Sequence, residues 1–257
     1  MDKISKLYND LFLLEKNKIR GEIYPIHKKL DYKKMNCLHL YDYILQHYIS
    51  NNSGLKILDA GCGVGFGSIF LAEKTQNKIL GISLSDLEIN RANSSLKEKN
   101  LTNCSFQKLS FDKISCEKYD LILCVESFKH SGNFQSTLSH FKSILNPGGK
   151  IIVVDDFYSG ETPESKLCSK FKNYWELKEL LSEKDLYDSN FEYYIKDLSP
   201  FLKTSSSQNI SVKYYTTLLL SKVKGNSFKK LFGGGILLEK LYLKKEMKYN
   251  LIELKPC

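Results

Sequence analysis

Four glycines at alternate positions, Gly61, Gly63, Gly65 and Gly67, lie in the run ILDAGCGVGFG, Ile57 to Gly67, at the end of a short apolar stretch. Lacking Cβ atoms, a backbone built this way can pass close beneath a flat or bulky ligand and take left-handed turns. The spacing misses the dinucleotide fingerprint G-x-G-x-x-G/A, because the last position reads Phe66 from Gly61 and Ser68 from Gly63. No Gly-Lys-Ser/Thr follows, which excludes a Walker phosphate loop. A second set has the residue types that move protons: Glu126 and His130 after one apolar run, and Asp155-Asp156 at the end of another. The five histidines and seven cysteines make no H-x3-H, H-E-x-x-H or C-x-x-C pattern, so the sequence offers neither a metal site nor a disulfide framework.

The elements that must position these residues are short apolar runs alternating with amphipathic stretches. Strands are expected over 55–60, 78–83, 104–107, 119–125 and 150–157, with helices near 65–74, 86–99 and 135–145. Strands separated by helices imply a parallel sheet wound on both faces, which binds ligands at the carboxyl ends of its strands. Ser85 followed by Glu88 reads as a capping box that opens the helix at 86. Ahead of the first strand, 3–20 and 33–50 read as two helices. After the fifth come a helix over 163–184, a sixth strand over 191–195 and a seventh over 248–254. Between these last two strands, 199–246 reads as helical pieces broken at Gly225 and at Gly233-Gly234-Gly235.

The 257 residues carry a net charge of +9, unevenly spread. Residues 51–160 hold 12 basic against 11 acidic side chains, whereas 203–245 hold nine lysines against the single acid Glu239. Arg20 and Arg91 are the only arginines, which disfavours a nucleic-acid groove, since base edges and phosphates are read by the guanidinium fork. The lysines read as a solvated face or as a surface for an anionic partner, such as a carboxylated, phosphorylated or carrier-bound acceptor or an anionic membrane. No 18-residue apolar run and no signal-like start is present, so a cytoplasmic protein without an integral membrane segment is expected.

From about residue 53 to 160 the sequence resembles the class I S-adenosylmethionine-dependent methyltransferases. ILDAGCGVG matches their first motif, GISLS (Gly81 to Ser85) the end of the second strand, YDLILCVES (Tyr119 to Ser127) the fourth strand, and LNPGGKIIVVDDF (Leu145 to Phe157) the turn and fifth strand. The resemblance implies a Rossmann-like, doubly wound α/β sheet of seven strands, mostly parallel with an antiparallel last strand. It implies an N-terminal helical lid (1–52), a cofactor-binding core (53–198), a helical cap (199–246) and a closing strand (247–257). S-adenosylmethionine is the implied cofactor, with Asp59, Gly61, Cys62, Gly63 and Gly65 around its methionine half. Most of the family has an acid at the end of the second strand for the ribose. Here that position is Ser83, and the wording is closer to the tocopherol-methyltransferase branch, so Ser83 and the Leu84 backbone become the ribose candidates, with Ser85 beside them as a further cofactor-binding residue. Ser110 and Phe111 align with the adenine position, and Cys124 stands near the cofactor at the end of the fourth strand.

For methyl transfer to a hydroxyl, the protein must position the acceptor and supply a base near neutral pKa. Similar natural-product O-methyltransferases carry an E-S-x-x-H segment and an Asp before Phe, which implies His130 as general base with Asp156 orienting its ring. Glu126 binds the cofactor or acceptor, or stands at the centre of a carbon-methylating site. His27 and Lys28, in the loop between the N-terminal helices, are substrate candidates. The expected acceptor is a small molecule, anionic or carrier-bound in one reading, and a homodimer is compatible with the sequence.

Overall fold

Seven strands form one sheet: β1 (Lys56–Ala60), β2 (Lys78–Ser83), β3 (Cys104–Lys108), β4 (Tyr119–Val125), β5 (Leu145–Tyr158), β6 (Phe191–Asp197) and β7 (Met247–Pro256). They are ordered β3-β2-β1-β4-β5-β7-β6, with the first five parallel and β7 antiparallel to both its neighbours. This is the expected doubly wound sheet with its antiparallel last strand. The computed structural model describes residues 3–15, 28, 30–114, 117–160, 163–187 and 190–257.

The central strands read as nearly unbroken Ile, Leu and Val because both faces are covered. Alternation along each strand sends Ile57, Leu121, Leu123 and Ile152 into the core on one face and Leu58, Ile122, Ile151 and Val153 into that on the other. The helices are α1 (Lys3–Glu15), α2 (Leu40–Ile44), α3 (Phe66–Lys74), α4 (Asp86–Glu98), α5 (Phe134–Ser143), α6 (Lys166–Trp175), α7 (Ser207–Lys224) and α8 (Asn226–Leu243). The last two lie in the chain between β6 and β7 and pack on each other.

Four expectations are corrected. The helix expected over 33–50 shrinks to α2 and one wide turn, Leu45–Ile49, because Asn36 is left-handed (φ 54°) and His39 caps α2 by accepting from the Asp42 amide. The helix over 163–184 stops at Trp175, where Glu176 turns left-handed (φ 53°). Gly225 separates α7 from α8 as expected, but α8 runs straight through Gly233-Gly234-Gly235. A Cβ on Gly233 would lie 2.7 Å from the Tyr174 ring, and one on Gly234 would lie 2.6 Å from the Trp175 indole nitrogen, so these glycines bring α8 close to α6. The capping box is half formed: the Ser85 hydroxyl accepts from the Glu88 amide at 3.2 Å, but the Glu88 carboxylate takes the Ser83 hydroxyl at 2.6 Å.

Candidate active site

The glycine loop is held by its neighbours on three sides. The amides of Gly61 and Cys62 both donate to the Ile82 carbonyl at 2.9 Å, tying the loop to the end of β2. Gly61, Gly63 and Gly65 all have positive φ. A Cβ at Gly61 would lie 2.2 Å from Ser127 Cβ, one at Gly65 2.7 Å from the Phe106 ring, and one at Gly67 1.9 Å from the Tyr41 ring. Gly63 differs, since its nearest neighbour would be Glu88 Oε1 at 3.9 Å. The open side of the loop therefore faces Glu88.

That side opens into a cavity of about 630 Å³. Gly61, Cys62, Gly63, Ser83, Leu84 and Glu88 line one end, and Glu126, Lys129, His130 and Asp156 line the other. Ser110 and Phe111 stand at its edge beyond β3. The roof comes from α1, through Ile4, Tyr8, Leu11 and Phe12, and from α8, through Leu231 and Leu238. Ser5 donates to the Leu84 carbonyl at 2.9 Å and Ser85 to Asn9 Oδ1 at 2.6 Å, so α1 is fastened over the ends of β2 and α4.

Four cofactor candidates stand behind this wall. Asp59 is fully buried and accepts from the Tyr41 hydroxyl (3.1 Å) and from Ser68 Oγ (2.6 Å), and burial raises its carboxyl to about 6. Gly65 is closed off by Phe106 and Ala92. Ser85 spends its hydroxyl on capping α4 and on Asn9. Cys124 points into the opposite core with Phe128 and Phe134. Conversely, Glu88 was legible in the sequence only as a capping residue, although a helical side chain tilts toward the N-terminus and so reaches back to the strand end. Burial raises the Glu88 carboxyl to about 7 against the opposing hydrogen bond from Ser83.

The ends of β4 and β5 gather a charged cluster. Glu126, in the left-handed region (φ 55°), directs Oε1 to the Lys28 amide (3.0 Å) and the Tyr249 hydroxyl (2.8 Å). Lys129 Nζ donates to Asp155 and to Asp156, each at 2.8 Å. Lys28 Nζ lies 2.6 Å from Asp156, which also accepts from the Tyr242 hydroxyl. Burial alone would depress the Lys129 ammonium, but the two aspartates overcome it and hold it protonated. Burial likewise works against the Asp156 charge, and Lys129 and Lys28 outweigh it, leaving that carboxyl below the usual range.

The expected pair of His130 and Asp156 does not form. Asp156 is taken by the two lysines and Tyr242, while His130 Nε2 meets the Tyr8 hydroxyl at 2.9 Å and Nδ1 has no partner among the described residues. Burial, reinforced by the Lys129 charge, pushes the imidazole down to about 3. Of the two substrate candidates, Lys28 is brought into the site and His27 lies outside the described residues. Sequence reasoning missed Lys129, which meets Asp155 and Asp156 only across neighbouring strand ends, and Tyr8, Tyr242 and Tyr249, which reach their partners across 86 or more residues and leave no local pattern.

Over residues 51–208 the chain matches the family described as a methyltransferase domain. A sterol 24-C-methyltransferase of Kluyveromyces lactis is 30% identical over 132 residues, which cover 47% of this chain and 36% of that protein. The chain spans about a third of the length of such curated relatives. Among solved structures, a 4+2 cyclase superposes with a TM-score of 0.75 at 17% identity, covering 99% of this chain and 95% of that one. The geranyl diphosphate C-methyltransferase of Streptomyces coelicolor A3(2), solved with Mg2+, geranyl diphosphate and S-adenosyl-L-homocysteine, gives 0.72 at 16% identity, covering 99% and 97%. At such identities the likeness to these two structures establishes the fold alone.

Proposed function

This chain belongs to the methyltransferase domain family, and from that premise we propose that it moves the methyl group of S-adenosylmethionine to a small-molecule acceptor. The observation that carries the reading is one continuous cavity running from the open side of the glycine loop to the charged ends of β4 and β5. Its volume lies within the range of small-molecule sites. The residues present fit the cofactor. Gly61, Cys62 and Gly63 form a cradle that a side chain at position 63 would begin to fill. Glu88 and Ser83 supply the carboxylate and hydroxyl suited to two ribose hydroxyls, and Phe111 offers an aromatic surface at the position assigned to adenine.

When bound, S-adenosylmethionine supplies an electrophilic methyl carbon on a sulfonium, open to in-line displacement. The chain's own residues orient the acceptor, exclude water and stabilise charge. The α1 and α8 roof covers part of the cavity, and water displaced from beneath it strengthens electrostatic interactions there. A hydroxyl acceptor needs a base whose proton affinity lies near working pH. His130, held near 3 and without its carboxylate, suits that task poorly. Glu126 faces the cavity with its carboxylate fixed by Tyr249 and the Lys28 amide. As one carbon of an alkene takes the methyl group from sulfur, its partner carbon becomes positive, and loss of a neighbouring proton to a base restores a double bond. Glu126, with Tyr8 and Trp175 in the wall, can stabilise such a centre. This geometry favours an acceptor carbon. A hydroxyl acceptor is the second reading, supported by the place of His130 in the cavity wall with no partner on Nδ1 among the described residues.

The test combines cofactor titration with methyl transfer. Calorimetry should show S-adenosylhomocysteine binding to the wild type and loss of binding in a folded Gly63→Val variant; equal affinity in both would remove the cofactor assignment. Transfer of a labelled methyl group to isoprenoid and sterol alkenes, with phenols and alcohols left unmodified, is the result expected of the carbon reading, and the reverse pattern restores the hydroxyl one.

A further inference from the structure

Helix α7 is apolar on two opposite sides. Ile210 and Thr217 are buried on its inner side, where it packs on α8. On its outer side Val212, Tyr215, Leu219 and Val223 are 66%, 67%, 64% and 88% exposed. At 3.6 residues per turn, Val212, Leu219 and Val223 fall within about 40° of one another, with Tyr215 about 40° further round, so they form a single stripe aimed straight away from the protein. Isolated exposed apolar residues are ordinary, but a continuous stripe of this kind marks an interaction surface.

Lysines flank the stripe, Lys222 close to one edge and Lys213 on the other side, with Lys224 further round toward the inner side, and α7 contains no acid. None of the three has a carboxylate partner among the described residues. Lys213 donates to Ser205 Oγ at 2.6 Å and Lys224 lies over the Phe228 ring, contacts that leave both charges uncompensated, whereas on the neighbouring α8 Lys230 pairs with Glu176. Positive charge without a carboxylate partner thus accompanies the exposed apolar stripe.

We propose that α7 is an interfacial helix that seats this protein on an anionic lipid surface. An apolar stripe flanked by lysines is the arrangement that lets a helix lie in the plane of a bilayer, its apolar residues among acyl chains and its ammonium groups among phosphates. At 18 residues the helix is about 27 Å long, and no helix among the described residues is long and apolar enough to cross a membrane, so the contact is peripheral. Charge argues against a second copy of the chain as the occupant. Two α7 helices laid together would bring six lysines into one contact with no acid from either helix. The cavity lies on the far side of α8, which contributes Leu231 and Leu238 to its wall, so docking would leave the site one helix layer from the lipid. None of the α7 residues lines the cavity, which makes lipid binding separable from the methyl-transfer reading.

Flotation of the full chain with vesicles is the experiment. Vesicles containing about 30% phosphatidylserine should bind it roughly ten-fold or more tightly than pure phosphatidylcholine, and raising salt from about 0.1 to about 1 M should release much of it. Val212→Asp/Val223→Asp and Lys213→Gln/Lys222→Gln/Lys224→Gln should each lower binding about ten-fold or more, with the melting temperature and S-adenosylhomocysteine affinity unchanged. The lysine set alters only exposed side chains and keeps the test valid if the aspartates disturb folding. Equal binding to both vesicle types, or full binding by the lysine variant, overturns the proposal. So does a dimer in light scattering that the aspartate pair converts to monomer.

Discussion

Glu88 holds a proton to about pH 7 because it is buried beside one hydroxyl and no cation. Its folded pKa lies above the ordinary 4.5, so the stability it contributes is full below about 4.5 and is lost as pH rises through about 7. The displacement corresponds to something on the order of 3 kcal/mol. Melting curves of the wild type and Glu88→Gln should therefore diverge across this window, the wild type losing stability relative to the variant. Asp59, raised to about 6, contributes the same tendency to both proteins and cancels in the difference. Donation from ribose hydroxyls would favour the ionised form, so S-adenosylhomocysteine should bind with proton release near neutral pH. Titration in buffers of different ionisation heat measures it, and Glu88→Gln should abolish it. The charged end makes a separate prediction. Glu126→Gln should lower kcat by about 10²-fold or more, and His130→Ala by only about ten-fold. A pH limb near 6 to 7 that disappears in His130→Ala would return the base assignment to His130.

At the scale of elements, α8 shows what glycine does inside a helix. Gly233 and Gly234 touch Tyr174 and Trp175, whereas a Cβ on Gly235 would meet nothing within 4 Å. Gly234→Ala should cost about 1 to 3 kcal/mol by forcing α8 off α6. Gly235→Ala should raise stability by up to about 1 kcal/mol through helix propensity alone. Thermal or urea unfolding of the two variants reads the contrast, and equal shifts would contradict the close packing. The same segment shows where sequence reading runs out. A glycine triplet reads locally as a break, and its actual partners lie some sixty residues earlier in the chain. Strands β2 and β4 were legible to the residue because a run buried on both faces needs no distant information. The glycine loop was legible for the same reason. The charged cluster was not, since Lys28, Lys129, Asp156 and Tyr249 meet only after the sheet has formed.

Across the whole molecule, the cavity is roofed by the two ends of the chain acting together. The Ser227 hydroxyl donates to Asp10 at 3.0 Å, joining α8 to α1, and Tyr8 reaches His130 beneath them. A ligand lodged under this roof should slow backbone hydrogen exchange in residues 3–15 as well as in the glycine loop, since both would have to open for it to leave. Protection of the loop alone, measured by mass spectrometry with S-adenosylhomocysteine, would mean that α1 is not a closure of the site. A different consequence follows from the contact between Gly67 and Tyr41. The tyrosine ring fills the space of the missing Cβ, and its hydroxyl donates to the buried Asp59 behind the loop. Positions 41 and 67 are therefore joined in inheritance: a lineage that acquires a side chain at 67 must have traded Tyr41 for something smaller, which leaves Ser68 to hold Asp59. Replacements at the two positions should therefore be found together in descendants of this chain, and a side chain at 67 opposite an intact Tyr41 should not be found.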